Sequence, residues 1–457
     1  MTVLVNNFKK GNIFSLKYAI LREKISFGGN MKEQFTRERI GEEIYFSSVK
    51  IDKFTTSRIS VNFILDLDRE TVTANSLVAF LLRKGCGMYP DFTALNLRLD
   101  ELYGATISTD VKKFGDKQII NVTGACINDR FALDDENMIS ELAELICNII
   151  TNPVMQNGRF LQKEIDVEKN ILCDTIRSVR DDKGAYVIEK LISEMCADEP
   201  FGLKKYGYCD DMDKLTADYV TDCYKKILST AKIEILCSGE KINENLKIVF
   251  VNAFSKIERR VQDQKKTTTT PPVETAREIE EKLNVSQSKV ALGFSSGIPL
   301  DDKRSLALRL MSAVYGGDTS SKLFTVVREE MSLCYYCASM VERTKGIMIA
   351  YSGVQEKNRK KTIEAMLAQL DEVRNGNFTD EDIKQAKASI ITGLESVSDS
   401  LYGIEAWYLG QILSGIKTTP EEEISLINKL TAEDVCEAAK TMKLNVVYSI
   451  VEGGDRE

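Results

Sequence analysis

The stretch FLQKEIDVEKNILCDTIRSVRDD, starting at Phe160, aligns without gaps on FTDEDIKQAKASIITGLESVSDS, starting at Phe378. At this offset of 218 residues the pairs Phe160/Phe378, Ile165/Ile383, Lys169/Lys387, Ser178/Ser396, Val179/Val397 and Asp181/Asp399 are identical. A second alignment sets the strand-like Ile119–Gly124 against Met348–Gly353. A chain of 457 residues that repeats itself once holds two units of about 220 residues, each with its own core. Whatever fold one unit adopts, the other must adopt in outline. The polar run QDQKKTTTTPPVET, residues 262–275, has no apolar period and contains two adjacent prolines, the signature of a linker. These features divide the chain into an extension (1–40), a first unit (41–261), a linker (262–276) and a second unit (277–457).

Within the units, strand and helix patterns alternate. Residues 60–65, 106–111 and 119–122 read as strands. Residues 74–83, 95–103, 137–150, 160–179 and 184–196 read as helices. After the linker the pattern restarts with a strand at 289–294 and a helix at 303–314.

Composition then removes whole classes of chemistry. The chain contains no histidine, which excludes a His-ligated metal, a Ser-His-Asp triad and a Cys-His pair. Its net charge of −8, with no dense basic block, argues against nucleic acid or an anionic membrane as partner. No window is apolar for 18 residues, so no transmembrane helix is expected, and the amino terminus lacks a signal-peptide plan. The eleven cysteines are scattered and mostly lie in apolar stretches, which reads as reduced, buried thiols in a cytoplasmic protein. Cys334 and Cys337 have the spacing of a redox motif but lie in a β-like run, so two half-buried strand thiols are the plainer reading. Gly28-Gly29-Asn30-Met31 can be encoded as a ribosome-binding site before a start codon, so translation is expected to begin at Met31.

At this point the residues resemble a known family. Tyr315-Gly316-Gly317-Asp318-Thr319-Ser320-Ser321-Lys322-Leu323-Phe324 is similar to a Gly-Gly-x-x-Ser-Ser-Arg-Leu-Phe stretch of the insulinase/pitrilysin zinc peptidases. It runs into Val327-Arg328-Glu329-Glu330-Met331-Ser332-Leu333-Cys334-Tyr335, which resembles their Val-Arg-Glu-Lys-x-Gly-Leu-Ala-Tyr. Arg83-Lys84-Gly85-Cys86 and Asp198-Glu199-Pro200-Phe201-Gly202 resemble the segments that follow that family's zinc-binding helices. The resemblance implies an α+β fold: two homologous insulinase-like (LuxS/metalloenzyme-type) domains, each a mixed, mostly antiparallel sheet packed with helices.

Active members of that family bind zinc through His-x-x-Glu-His on one helix plus a later Glu. Residues i and i+4 of a helix lie one above the other, so two imidazoles can share one ion while the intervening Glu takes a proton from its water. The resemblance places these slots on Ser76, Ala79, Phe80 and Thr175, none of which can serve. Only Glu168 matches an acid that active members also carry. It stands either as a remnant of the site or as half of a helix-surface ion pair with Lys169 or Arg130. No metal and no cofactor are therefore expected, and the helix around residue 80 reads as plain core.

In the second unit, the resemblance makes Arg328 and Tyr335 a peptide-holding pair. A guanidinium can fork onto a carbonyl or carboxylate, and a phenol can polarise an amide. The bland alternative packs Arg328 against Glu329 and Glu330 and leaves Tyr335 half-buried in a strand. Catalytically empty members of the family pair with an active zinc-peptidase paralogue, so the implied function is a non-catalytic subunit that shares a peptide or protein substrate with such a partner. Leu99–Ala105 and Leu333–Tyr336 resemble a bacterial subgroup linked by name to elongation factor P modification. The competing expectation is a scaffold protein with no substrate. A self-sufficient cysteine or carboxylate hydrolase has no legible activating group.

Overall fold

The computed structural model describes residues 34–133 and 136–453. Met31, the expected start, lies outside the described residues. In the first half, β1 (Gln34–Gly41), β2 (Ile44–Lys50) and β3 (Thr56–Asp66) lead to α1 (Val72–Leu82) and α2 (Phe92–Glu101). Then come β4 (Thr106–Phe114), β5 (Lys117–Ile127), α3 (Met138–Thr151), α4 (Gln162–Ser178), α5 (Lys183–Met195), α6 (Ala217–Thr230), β6 (Lys232–Gly239) and α7 (Glu244–Phe254). Residues 262–276 contain neither helix nor strand. The second half opens with β7 (Arg277–Leu283), β8 (Ser288–Ser295), α8 (Arg304–Gly316) and a π-helical stretch, Leu323–Glu330. It continues with β9 (Cys334–Glu342), β10 (Ile347–Val354), α9 (Arg359–Arg374), α10 (Asp380–Glu395), α11 (Leu401–Ser414), α12 (Pro420–Lys429), α13 (Ala432–Thr441) and β11 (Lys443–Glu452).

The repeat is visible in the sheets. The first runs β1-β2-β6-β3-β5-β4 and the second β7-β11-β8-β10-β9, so the two share one order apart from the added β1. In each, one pair is parallel (β2 with β6, β7 with β11) and the remaining pairs are antiparallel. The molecule is thus α+β, with two mostly antiparallel sheets packed by helices. The aligned segments Phe160 and Phe378 lead into α4 and α10, and Thr379 caps α10 through a capping box with Asp382.

Strand β3 is buried on both faces: Ile59, Val61 and Phe63 join the core, while Ser60 and Asn62 between them are equally buried and satisfied by polar partners, Asn62 Nδ2 donating to Ser60 Oγ at 3.0 Å and to the Glu234 carbonyl at 3.2 Å. One face of the first sheet packs on α1, α3, α6 and α7. The other is covered by a helix from the opposite half. Leu401, Ile404, Tyr408 and Leu409 of α11 lie on Phe35, Val49, Ile51 and Leu236, with the Phe35 and Tyr408 rings stacked 4.2 Å apart. Reciprocally, Tyr186, Val187, Leu191 and Met195 of α5 lie on Ala291, Ile349, Tyr448 and Ile450 of the second sheet. Helix α5 approaches so closely that a Cβ on Gly293 would stand 2.7 Å from the Met195 sulfur. Lys183 and Leu401, the first residues of α5 and α11, are separated by the repeat offset, so the halves exchange equivalent helices. Each fully buried side chain of this kind contributes about 1.5–3 kcal/mol.

A polar contact also joins the halves. Lys345 is fully buried, and its Nζ lies 3.0 Å from Asp116 and 2.7 Å from Glu199. The linker closes over it: Thr268 N–H donates to Asp116 at 3.1 Å, and Thr270 Oγ1 donates to Glu199 at 3.1 Å.

One expectation about cysteine is corrected. Cys173 on α4 and Cys209 are joined by a disulfide, with Cα atoms 5.2 Å apart. The 3₁₀ turn at Cys209–Lys214 lies alongside α4 and brings together residues 36 apart in sequence, a pairing that spacing alone does not reveal. The remaining nine thiols are free, seven of them buried. No helix among the described residues is long and apolar enough to cross a membrane.

Candidate functional site

Helix α1 is buried on every side: all eleven of its residues are inside, the polar Thr73, Asn75 and Ser76 of its first turns included. The three slots that the zinc motif would use on this helix are therefore inside the core, and each is already engaged. Ser76 Oγ donates its one proton to the Val72 carbonyl at 2.9 Å, with the Lys205 carbonyl a longer second acceptor at 3.3 Å, and accepts from Gln118 Nε2 at 3.1 Å. The Ala79 carbonyl accepts from Thr109 Oγ1 at 2.7 Å, which ties α1 to β4. Phe80 meets the Tyr206 ring edge-on at 6.3 Å, while the Arg83 guanidinium lies 4.6 Å from its ring centre. Tyr206 is held in turn by its hydroxyl donating to Asp110 at 3.1 Å. Thr175 on α4 spends its hydroxyl on the Ile171 carbonyl at 2.8 Å.

These residues do not fit zinc. A tetrahedral site needs three protein donors around an open position. Here one slot is a hydroxyl already bonded to backbone carbonyls, two carry no donor atom, and the fourth is turned onto its own helix. Among the described residues, no group of three or more His, Cys, Asp or Glu side chains could hold a metal ion.

Glu168 is corrected in both partner and place. It is not a surface residue but 1% exposed, and its carboxylate meets Arg83 Nη2 at 2.8 Å and Lys84 Nζ at 3.3 Å. Lys169 pairs instead with Asp166, and Arg130 with Glu240. A carboxylate buried this deeply needs partners of opposite charge, and the segment directly after α1 supplies both.

Beside this filled centre lies a mostly apolar cavity of about 380 Å³, walled by Ile176, Val179, Ile188, Ile192, Leu203 and Tyr206, with Lys113 at its edge. The Lys113 ammonium donates to the carbonyls of Phe201 and Leu203, and burial lowers its pKa.

The second half holds a different arrangement. Arg328 stands in the π-helical stretch with its Nε donating to the Tyr335 carbonyl at 3.0 Å. Its guanidinium also meets Glu329 and lies 4.4 Å from the Phe324 ring centre. Tyr335 is 48% exposed on β9, and its hydroxyl accepts from Gln355 Nε2 at 3.1 Å. The two residues are thus adjacent, at the open edge of their sheet. Among the described residues, the hydrogen bonds and ion pairs of Ser76, Glu168 and Thr175 stay in the first half, and those of Arg328 and Tyr335 stay in the second. Gln118 and Tyr206, which complete the filled centre, carry no motif. Arg83 and Lys84 stand in the Arg83-Lys84-Gly85-Cys86 segment and were in principle findable as partners for Glu168.

Two similarly folded α+β halves with a motif helix packed shut define an insulinase-type peptidase fold that has lost its metal centre. Residues 214–390 match the family model described as the Peptidase M16 inactive domain. The chain is a homologue of the M16 peptidases that lacks their zinc site. It is 28% identical over 400 residues to the probable inactive metalloprotease YmfF of Bacillus subtilis (strain 168), covering 88% of this chain and 94% of that one. The crystal structure of a conserved protein from Enterococcus faecalis V583 superposes with a TM-score of 0.85 at 26% identity, covering 93% of this chain and all of the other. A peptidase M16 inactive domain from Pseudomonas fluorescens shares the fold, with a TM-score of 0.73 at 14% identity, over 93% of this chain and 99% of its own.

Proposed function

We propose that this chain is the non-catalytic, peptide-binding subunit of a zinc peptidase whose chemistry belongs to an active, YmfH-like paralogue in the cytoplasm. The observation that carries this reading is the contrast between the buried slots at Ser76, Ala79 and Phe80, with Thr175 bonded back onto its own helix, and the Arg328–Tyr335 pair, which stands partly in solvent. A residue kept only for packing has no reason to stand half-exposed at an open strand edge. The Arg328 guanidinium, with Nε on the Tyr335 carbonyl and Nη1 on Glu329, has Nη2 to offer a peptide carbonyl or terminal carboxylate. The apolar cavity beside Tyr206 suits a peptide side chain. The zinc on the partner would activate water for hydrolysis, and this chain would hold the substrate.

The test is reconstitution of the full chain with a paralogue that carries an intact His-x-x-Glu-His. Arg328→Ala is expected to raise the KM for peptide at least tenfold while leaving assembly intact. Unchanged turnover would overturn the peptide-binding role and favour a scaffold. A connection to elongation factor P modification extends the same reading, and deleting the gene for this chain should then alter the modified fraction of that factor in cells.

A further inference from the structure

The mechanism above leaves Cys334 and Cys337 unused. On a regular strand, residues three apart point to opposite faces. Here the ladder slips: Tyr336 faces Gly353 and Cys334 faces Val354, so Tyr335 is an extra residue. This bulge turns both thiols to the same side, where Cys337 joins the core of the second half and Cys334 packs against it. It also sets the pair opposite Ser352 and Val354, two residues apart on β10. Two strand residues span about 6.6 Å, within the Cα separations of roughly 4.4–6.8 Å that disulfides use. Cys337 is buried and Cys334 half-buried, so one sulfur is open to a reagent and the other waits behind it.

We propose that Cys334 and Cys337 form a thiol-exchange site whose co-reactant is a low-molecular-weight disulfide, with Cys334 as the attacking sulfur and Cys337 as the resolving one. In the first step, the Cys334 thiolate forms a bond to one sulfur of the small disulfide and expels its other half as a thiolate. In the second, Cys337 loses its proton to solvent, bonds to the Cys334 sulfur and expels the remaining half. Two protein thiols are oxidised to one disulfide, and one small disulfide is reduced to two thiols.

The surroundings suit these roles. The hydrogen bond with Cys337 lowers the Cys334 thiol to about 7 against the opposing effect of burial, helped by Ser352 of β10 and the Arg328 charge. The same hydrogen bond, together with burial, pushes the Cys337 thiol up. Cys436, the other half-buried thiol, is raised by burial and serves as an internal reference.

The experiment uses the full native chain and does not depend on the peptide-binding role. Iodoacetamide labelling at pH 7, read by peptide mass spectrometry, should modify Cys334 at least tenfold faster than Cys436, with its rate rising at lower pH than that of Cys436. With oxidised glutathione, the wild type should end with a Cys334–Cys337 disulfide. Cys337→Ser should stop at glutathione on Cys334, and Cys334→Ser should leave Cys337 unmodified. Labelling of Cys334 no faster than Cys436 overturns the proposal without any variant having to fold. A wild type that retains glutathione on Cys334 and never closes the disulfide also overturns it.

Discussion

The two halves share a strand order and differ in what they do with it. In the first, the helix that would carry a catalytic motif has become solid core, with Phe80 between Tyr206 and Arg83. In the second, Arg328 and Tyr335 remain at an open strand edge. One fold thus tolerates loss of a metal site by filling it with apolar contacts, while its counterpart keeps polar groups in solvent, where they add little to stability. The difference teaches that the first half's former centre is read in unfolding experiments and the second half's pair in binding experiments.

The contact between the halves sets the largest expected effect. Lys345→Met leaves the buried Asp116 and the partly buried Glu199 without their cation, and should cost about 3–5 kcal/mol in denaturant unfolding. Phe80→Ala should cost about 3 kcal/mol by opening a cavity in the filled centre. A loss below 1 kcal/mol would break the claim that this centre is core. Glu168→Gln keeps the shape but removes the charge facing Arg83 and Lys84, with an expected cost of about 1–2 kcal/mol.

The acid limb sharpens the first half further. Burial raises the Asp211 carboxyl, but hydrogen bonds from Arg69 and Thr73 outweigh it and hold the group below its ordinary value. A depressed folded pKa gives stability that is present above the unfolded value of about 3.9 and lost as pH falls through the folded one. Asp211→Asn should therefore flatten the fall of Tm below about pH 4, and an unchanged acid slope would contradict this. The smallest effect belongs to the other half. Arg328→Ala, removing an exposed side chain, should change stability by less than about 0.5 kcal/mol.

Much of this was legible in the residues. The apolar run around Phe80 announces a buried helix, and the Phe160 and Phe378 segments announce the repeat, because periodicity reports which face of an element is hidden. It does not report what hides it. The amphipathic pattern of Lys183–Met195 cannot say that the helix crosses to the other half. The partners of Glu168, Arg83 and Lys84, lie 85 and 84 residues away, and Cys173 meets Cys209 only once a turn folds beside α4. The bulge at Tyr335 depends on the register with β10, which a single strand does not encode.

The exchanged helices carry a consequence for synthesis on the ribosome. The sheet of the first half is complete in sequence at Gly239, yet the helix that covers Phe35, Val49 and Leu236 ends at Ser414. At roughly 5–20 residues per second, an apolar sheet face stays bare for about 10–35 s after its last strand is made. During that interval the nascent chain is the form most in need of a chaperone, and the second half acts as the late-arriving cover that ends the need.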